Sequence, residues 1–289
     1  MSGESKLTFE IVRSEILKPV SVRTGLSTYL RELYERRHFI IADSRARVAS
    51  RGKQMVLGQA WLVLKPLLDA AVYLVIFGLI LKTSRGIENF LGYLVIGVFL
   101  FQFTTRCLSQ GANAIVGGRA LIHAFRFPRA ALPAAVVVRE TISMLPVLAT
   151  MVLLIVVIPP GAIISWRWVL FPIIFLLQLL FNFGIAFIAA RLVARLRDLT
   201  HLISLISRFW FYSSAVFFSI DRFASVPLVM KVMKVNPLFV ILDMSRDVLI
   251  YARTPTLASW ALLIGWSVVT LVIGFIFFWR GEERYGRTE

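Results

Sequence analysis

Cysteine, acidic residues and polar linkers are all scarce in this sequence. Cys107 is the sole cysteine among 289 residues, which excludes an intrachain disulfide and leaves a small buried apolar side chain as its expected role. Charged residues make up only 17%, against about 25% in an average soluble domain. Disorder driven by high net charge and low hydrophobicity is therefore excluded. No GxxxxGK(S/T) motif occurs, so ATP, if it is used, is bound by another chain. HExxH is also missing, and His38, His123 and His201 stand too far apart to form a close ligand set, so metal catalysis has no support. Neither GxSxG nor a readable Ser–His–Asp triad is present.

What is abundant is apolar surface: 58% of residues are hydrophobic and 13% aromatic. Several runs approach the roughly 20 residues needed to cross about 30 Å of hydrocarbon, so the bilayer is the natural solvent. The basic excess, 32 Lys and Arg against 16 Asp and Glu, then reads as membrane topology with anionic lipid headgroups as its partner, and nucleic acid is not expected.

Six spans are expected: Trp61 to Leu81, Phe90 to about Gly111, about Ala131 to Ile158, a fourth from the Trp166 and Trp168 belt to near Ala190, Leu202 to Ile220, and Leu257 to Trp279. The short turn Lys82 to Glu88 joins the first two, and Pro159, Pro160 and Gly161 close the third. Arg119, His123, Arg126 and Arg129 precede the third span, Arg191, Arg195, Arg197 and Asp198 follow the fourth, and Arg280, Arg284 and Arg287 follow the sixth. An even count with this distribution puts both termini in the cytoplasm. The fold class is an all-α polytopic membrane protein, with a cytoplasmic region over 1–53 and a six-helix transmembrane domain over 54–289.

Two segments do not fit a plain span. Tyr29 to Ser50, YLRELYERRHFIIADSRARVAS, is too polar to cross and too apolar for a linker. As an amphipathic interface helix it would turn Tyr29, Leu33 and Ile40 to the acyl region and Arg31, Arg36, Arg37, Arg45 and Arg47 to phosphates. A solvated helix packed on a partner is the alternative. Between the fifth and sixth spans, Asp221 to Pro255 is apolar but interrupted by Lys231, Lys234, Pro237, Asp243, Arg246 and Asp247. Two short re-entrant or external helices, broken near Asn236 and Pro237, are expected there, because irregular backbone at membrane depth must face protein or a water-filled cavity.

Several charges lie inside spans: Lys65 and Asp69 on one face of the first, Arg106 in the second, Arg139 and Glu140 in the third, Arg208 in the fifth. At 1.5 Å per residue Asp69, Arg106, Arg139, Glu140 and Arg208 fall about 8 to 14 Å from the proposed inner edge, a common inner layer, with Lys65 closer to the edge. Such charges should face one another or a cavity. Asp69 with Arg139 or Arg106 is a candidate helix-locking pair, Arg208 a candidate contact for an anionic substrate, and structural pairing or snorkelling the alternative for all of them. Phe99 and Phe103 in the second span and Trp210 and Tyr212 in the fifth are aromatic faces suited either to sugar rings in a channel or to ordinary packing.

In order along the chain, the amphipathic segment, WLVLKPLLDAAVYLVIFGLIL (61–81), GGRALIHAFRFPRAALP (117–133), the charged turn after the fourth span and VNPLFVILDMSRDVL (235–249) resemble the type-2 ABC exporter permeases that move polysaccharides and teichoic acids across the inner membrane. The resemblance covers roughly Tyr29 to Gly281, with the basic N-terminal extension as its main departure. It implies a homodimer with two ATPase subunits that bind ATP and magnesium, and a polyprenyl-pyrophosphate-linked glycan as cargo. It also implies that Tyr29 to Ser50 is a gate whose Arg36 and Arg37 meet the pyrophosphate. Ile115 to Phe127, with Arg119 and His123, would be the coupling helix seated on the ATPase, and Asn236, Pro237, Asp243 and Arg246 would belong to an external gate. Richness in Ala, Val and Arg resembles the actinobacterial cell-wall galactan exporter, with teichoic acid and O-antigen as the other cargoes in the class. A permease for a small lipid or drug, a membrane-embedded glycosyltransferase using Asp69 and Glu140, and a passive assembly protein are the competing functions.

Overall fold

The structure is a computed structural model that describes residues 25–50, 58–73, 75–76, 80, 87, 89–124, 127–157, 162–220 and 225–285. Among these residues the secondary structure is helical throughout, without strands. The expected domain boundary at 53/54, most of the turn Lys82 to Glu88, and Pro159 to Gly161 lie outside the described residues, as do Arg126 and Arg287.

Four helices are long and apolar enough to cross a bilayer: Phe90–Ala112 (α4), Ala131–Val157 (α7), Trp166–Arg195, whose first turn is 3₁₀ and whose α-helical part is Phe171–Arg195 (α8), and Leu257–Trp279 (α12). They fall where the uninterrupted apolar runs place them, α12 with the expected bounds. The fourth span runs on past Ala190, so Arg191 and Arg195 end a helix instead of starting a turn. Trp61–Tyr73 (α3) covers the first part of the expected first span.

The fifth span departs from expectation. Helix Leu199–Ser213 (α9) stops well before Ile220 and has 15 residues, about 22 Å of helix against about 30 Å of hydrocarbon. The apolar run continues to Ile220, but the chain leaves the helix at Ser214 and Ala215, the latter with φ of 49°. Carbonyls freed there find other donors, described below. Two short helices follow, Pro227–Val235 (α10) and Pro237–Leu249 (α11), broken at Asn236 as the sequence suggests. Asn236 caps α11 by accepting from the Leu238 N–H at 3.1 Å, and Pro237 sits at the first helical position, where its missing N–H costs nothing.

Helix α4 is the centre of the bundle, buried along most of its length, and packs against α3, α7, α8, α9 and α11. The tightest pairing is α8 with α12. There Gly184 and Gly274 lie backbone to backbone, so that a Cβ on either would land on the other helix's main chain. In a bilayer, where lipid tails are as apolar as leucine, such close approach of small residues replaces hydrophobic burial as the source of helix association.

Two N-terminal helices, Leu26–Glu35 (α1) and Arg37–Ser50 (α2), lie against one end of this bundle, α2 packing along α7. The short helices Ala114–Gly117 (α5) and Arg119–Ala124 (α6) and the tail after α12 occupy the same end. The turn 162–170, α11 and the 250–256 segment gather at the other, where Arg167 Nε donates to Thr254 Oγ1 at 2.8 Å.

Candidate functional site

Three polar assemblies interrupt the apolar bundle. In the first, Asp69 on α3 accepts from Gln102 Nε2 at 2.7 Å, and Arg106, one turn further along α4, donates to Gln102 Oε1 at 3.0 Å. Gln102 thus turns its amine to the carboxylate and its carbonyl to the guanidinium, joining the two charges without direct contact. Arg139 and Glu140 on α7 form their own contact at 3.7 Å, with Glu140 buried.

The second assembly closes the basic end. Tyr29 of α1 is only 2% exposed; its hydroxyl donates to Glu282 Oε2 at 2.7 Å and accepts from the Ala130 N–H at 3.0 Å. Glu282 Oε1 accepts from the Arg129 N–H at 2.9 Å, and the Arg129 guanidinium donates to the Glu282 main-chain carbonyl. Burial pushes the Glu282 carboxyl above the usual range, while the Arg129 amide and Tyr29 pull it back; burial and the neighbouring carboxylate raise the Tyr29 phenol strongly. Beneath these bonds Tyr29, Ile40, Ile115, Ala130, Phe187 and Phe278 form an apolar cluster, with Phe127 packed against it. Nearby, the buried Ser44 of α2 donates to the Ala135 carbonyl at 2.9 Å.

The third assembly holds the far end. Arg246 of α11 is 1% exposed and donates to three carbonyls: Nε to Tyr93 at 3.2 Å, Nη1 to Ala215 at 3.1 Å and Nη2 to Val216 at 3.0 Å. Its guanidinium lies 3.3 Å from the centroid of the Tyr93 ring, a cation–π contact, and the Tyr93 hydroxyl donates to the carbonyls of Ala215 and Phe218. Gly97 leaves the space, since a Cβ there would meet Arg246 Nη2 at 2.6 Å. Trp210 Nε1 donates to Asn236 Oδ1 at 2.8 Å, and Asn236 Nδ2 donates to the Ser213 carbonyl at 3.1 Å and lies 3.0 Å from Ser214 Oγ. These bonds take up the carbonyls released where α9 unwinds.

Residues 44–250 match the family model described as ABC-2 type transporter, nearly three quarters of the chain and a stretch that holds the inner polar chain and the far-end assembly. The chain belongs to the ABC-2 type transporter family. The permease is similar to the O-antigen export system permease protein RfbA of Myxococcus xanthus, 28% identical over 255 residues, which cover 88% of this chain and 96% of that one. RfbA of Klebsiella pneumoniae is 29% identical over 171 residues, 59% of this chain and 65% of its own length.

Within the ABC-2 permease the candidate residues sort as follows. Asp69 and Arg106 come together through Gln102, whereas Lys65 and Arg208 stand exposed on α3 and α9 and take no part in that chain of bonds. Phe99 and Phe103 are buried in the core, Phe103 stacked on Phe175 at 5.3 Å; Trp210 is half-buried on Asn236, and Tyr212 is exposed. Ile115 is buried, Arg119 exposed and Phe127 half-buried, and in the expected coupling helix Ile115 to Phe127 the described residues form two short helices, α5 and α6, instead of one. The His123 side chain lies outside the described residues. Asp243 is exposed on α11.

Tyr29, Leu33 and Ile40 turn towards the bundle, correcting the acyl-facing orientation expected from the sequence, because the phenol finds a carboxylate and an amide there. The outward apolar residues of α1 and α2 are Leu26, Leu30, Tyr34, Phe39 and Ile41. Arg36 is exposed at the junction of the two helices, and Arg37 lies over the Tyr34 ring at 4.1 Å. Sequence reasoning missed Gln102, Tyr93 and Glu282. Gln102 was findable as the residue one turn from Arg106; the other two carried no local signal.

Proposed function

We propose that this chain is the transmembrane subunit of an ATP-driven exporter that carries a lipid-linked polysaccharide out of the cytoplasm across a bacterial inner membrane. The observation that carries the reading is the similarity to an O-antigen export permease over 88% of the chain, a length that includes more than the apolar spans. Galactan, teichoic acid and O-antigen are the cargoes within the class. Family membership implies an ABC ATPase partner, and ATP and magnesium belong to that partner because this sequence has no phosphate-binding loop. Two permease copies form the pathway. With α3 and α9 counted as spans, the topology has six crossings.

The end carrying Arg36, Arg37, Arg119, Arg129, Arg191, Arg195 and Arg280 faces the cytoplasm by the positive-inside rule. The outward apolar faces of α1 and α2 then rest in the membrane interface, with Arg36 and Arg37 at headgroup level to meet a pyrophosphate. The ATPase seats on α5 and α6. Because the chain runs from them through Arg129 into α7, a push there moves the spans directly. The alternative cargo class, a small lipid or drug, shares this architecture.

Reconstitution tests the reading. The permease, its ATPase and a polyprenyl-pyrophosphate-linked polysaccharide in sealed vesicles should give ATP-dependent movement of the glycan to the opposite side. Failure with every glycan class, together with ATP-dependent movement of a small lipid, would replace it with the alternative.

A further inference from the structure

The assembly at the basic end joins three parts of the chain that are distant in sequence: α1 through Tyr29, the 127–130 segment through two main-chain N–H groups, and the tail after α12 through Glu282. Two of its contacts meet on one carboxylate. Glu282 accepts from Tyr29 with one oxygen and from the Arg129 N–H with the other, so its two acceptor positions are divided between the N-terminal helix and the segment that leads from α5 and α6. Tyr29 is held symmetrically, as donor to Glu282 and acceptor from Ala130. These bonds stand over an apolar cluster and are largely shielded from water, where hydrogen bonds to an ionised group are the strong ones.

Around this node α1 has few other polar anchors. Its Arg31–Glu35 pair, 3.1 Å apart, is internal to the helix, and its outer face is exposed. The Tyr29 ring meets Phe275 at 6.0 Å, a contact without direction. Among the described residues, the Tyr29 hydroxyl is what gives α1 a directional bond to the bundle. Both main-chain donors of the node belong to consecutive residues, Arg129 and Ala130, so a displacement of that dipeptide breaks both bonds at once.

We propose that Tyr29 and Glu282 are positioning residues that latch α1 shut against the bundle, and that the latch is released when the Arg129–Ala130 segment moves. This rests on the reading of α1–α2 as a gate and of α5–α6 as the part that receives the ATPase, and it names the tail residue through which the two communicate. Glu282 then acts on cargo entry without touching cargo.

Double electron–electron resonance on the full permease–ATPase complex tests it, with spin labels at Ser27→Cys and Arg280→Cys in a Cys107→Ala background. With labelled permease diluted into unlabelled so that the intrachain pair dominates, the parent without nucleotide should give one short distance. Tyr29→Phe keeps the ring on Phe275 and removes only the hydroxyl; it should add a second, longer distance without nucleotide, with the open-to-closed ratio raised roughly tenfold, as loss of a charge-assisted bond implies. Glu282→Ala should do the same, and the two together should add little to either alone. Amide exchange at Arg129 and Ala130 should rise by a similar factor, a local readout that general unfolding would spread over the whole of α7. Unchanged distances in Tyr29→Phe and Glu282→Ala, or effects that multiply in the double variant, would overturn the latch. A parent that stays closed with ATP while Tyr29→Phe opens would keep the latch and remove the ATP-driven gate on which the export mechanism rests.

Discussion

Among the described residues, the partners of the Arg246 guanidinium are three carbonyls and an aromatic face. Dipoles hold such a charge through the bonds it makes to them, and an unsatisfied buried group costs about 1–3 kcal/mol. Arg246→Leu removes three hydrogen bonds at once and leaves their carbonyls without that donor, and a loss of about 3 kcal/mol or more is expected, read as a lower thermal midpoint in detergent. Arg246→Lys supplies a point charge without the planar fork and should fall between the two. Next to it, the Asp247 carboxyl is pushed up to about 6 by burial and by Asp243, with Arg253 opposing. An acid whose folded pKa is raised favours the folded state while it is protonated. Its contribution is therefore full below about pH 4, where the unfolded carboxyl titrates, and is lost as the pH rises to about 6. Asp247→Asn should flatten stability across that window, measured by unfolding at stepped pH.

At the scale of elements, the long helices were legible because an apolar run of more than 18 residues has few other structures available to it. Phe90–Ala112 and Leu257–Trp279 follow from composition alone. The end of α9 was not legible, because Ala215 to Ile220 is as apolar as the helix before it. What stops the helix is a pair of donors, Arg246 and the Tyr93 hydroxyl, remote in sequence by 31 and 122 residues from Ala215. The same limit applies to the polar sites. Asp69 with Arg106 was one of the two pairings that depth allowed, Arg139 being the other, but the amide between them was not legible, and the carbonyl partners of Arg246 leave no trace in side-chain composition. The α8–α12 crossing gives a sharper expectation. Gly184→Val or Gly274→Val forces side-chain atoms onto main chain and should cost about 1–3 kcal/mol and separate the two helices. Gly265→Ala on the same α12, with open space around it, should be neutral or slightly stabilising. Thermal unfolding of the three variants in one detergent decides the point.

For the whole molecule, the two ends of the bundle carry different physics. The far end is closed by carbonyl-bound arginine and an asparagine cap, the near end by a carboxylate that accepts from a tyrosine hydroxyl and one main-chain amide, with exposed arginines around it. Charge reversal at Arg36 and Arg37 leaves every bond of the near-end node intact. It should reduce ATP turnover stimulated by a pyrophosphate-linked lipid by about tenfold while leaving copurification with the ATPase unchanged, since each basic residue near an anionic surface is worth about 1 kcal/mol. Unchanged stimulation would remove these arginines from headgroup binding.

The Tyr29–Glu282 bond spans 253 residues. A ribosome adding about 5–20 residues per second finishes that interval in roughly 13 to 50 seconds. Throughout that time α1 has no carboxylate to receive its phenol, although the amide of Ala130 is made after 101 residues and α7, on which α2 packs, follows directly. Synthesis therefore seats the N-terminal helices in two stages, first against α7 and later, through Tyr29, on Glu282. A nascent permease cut short before Glu282 carries α1 without that bond even when its long apolar helices are inserted.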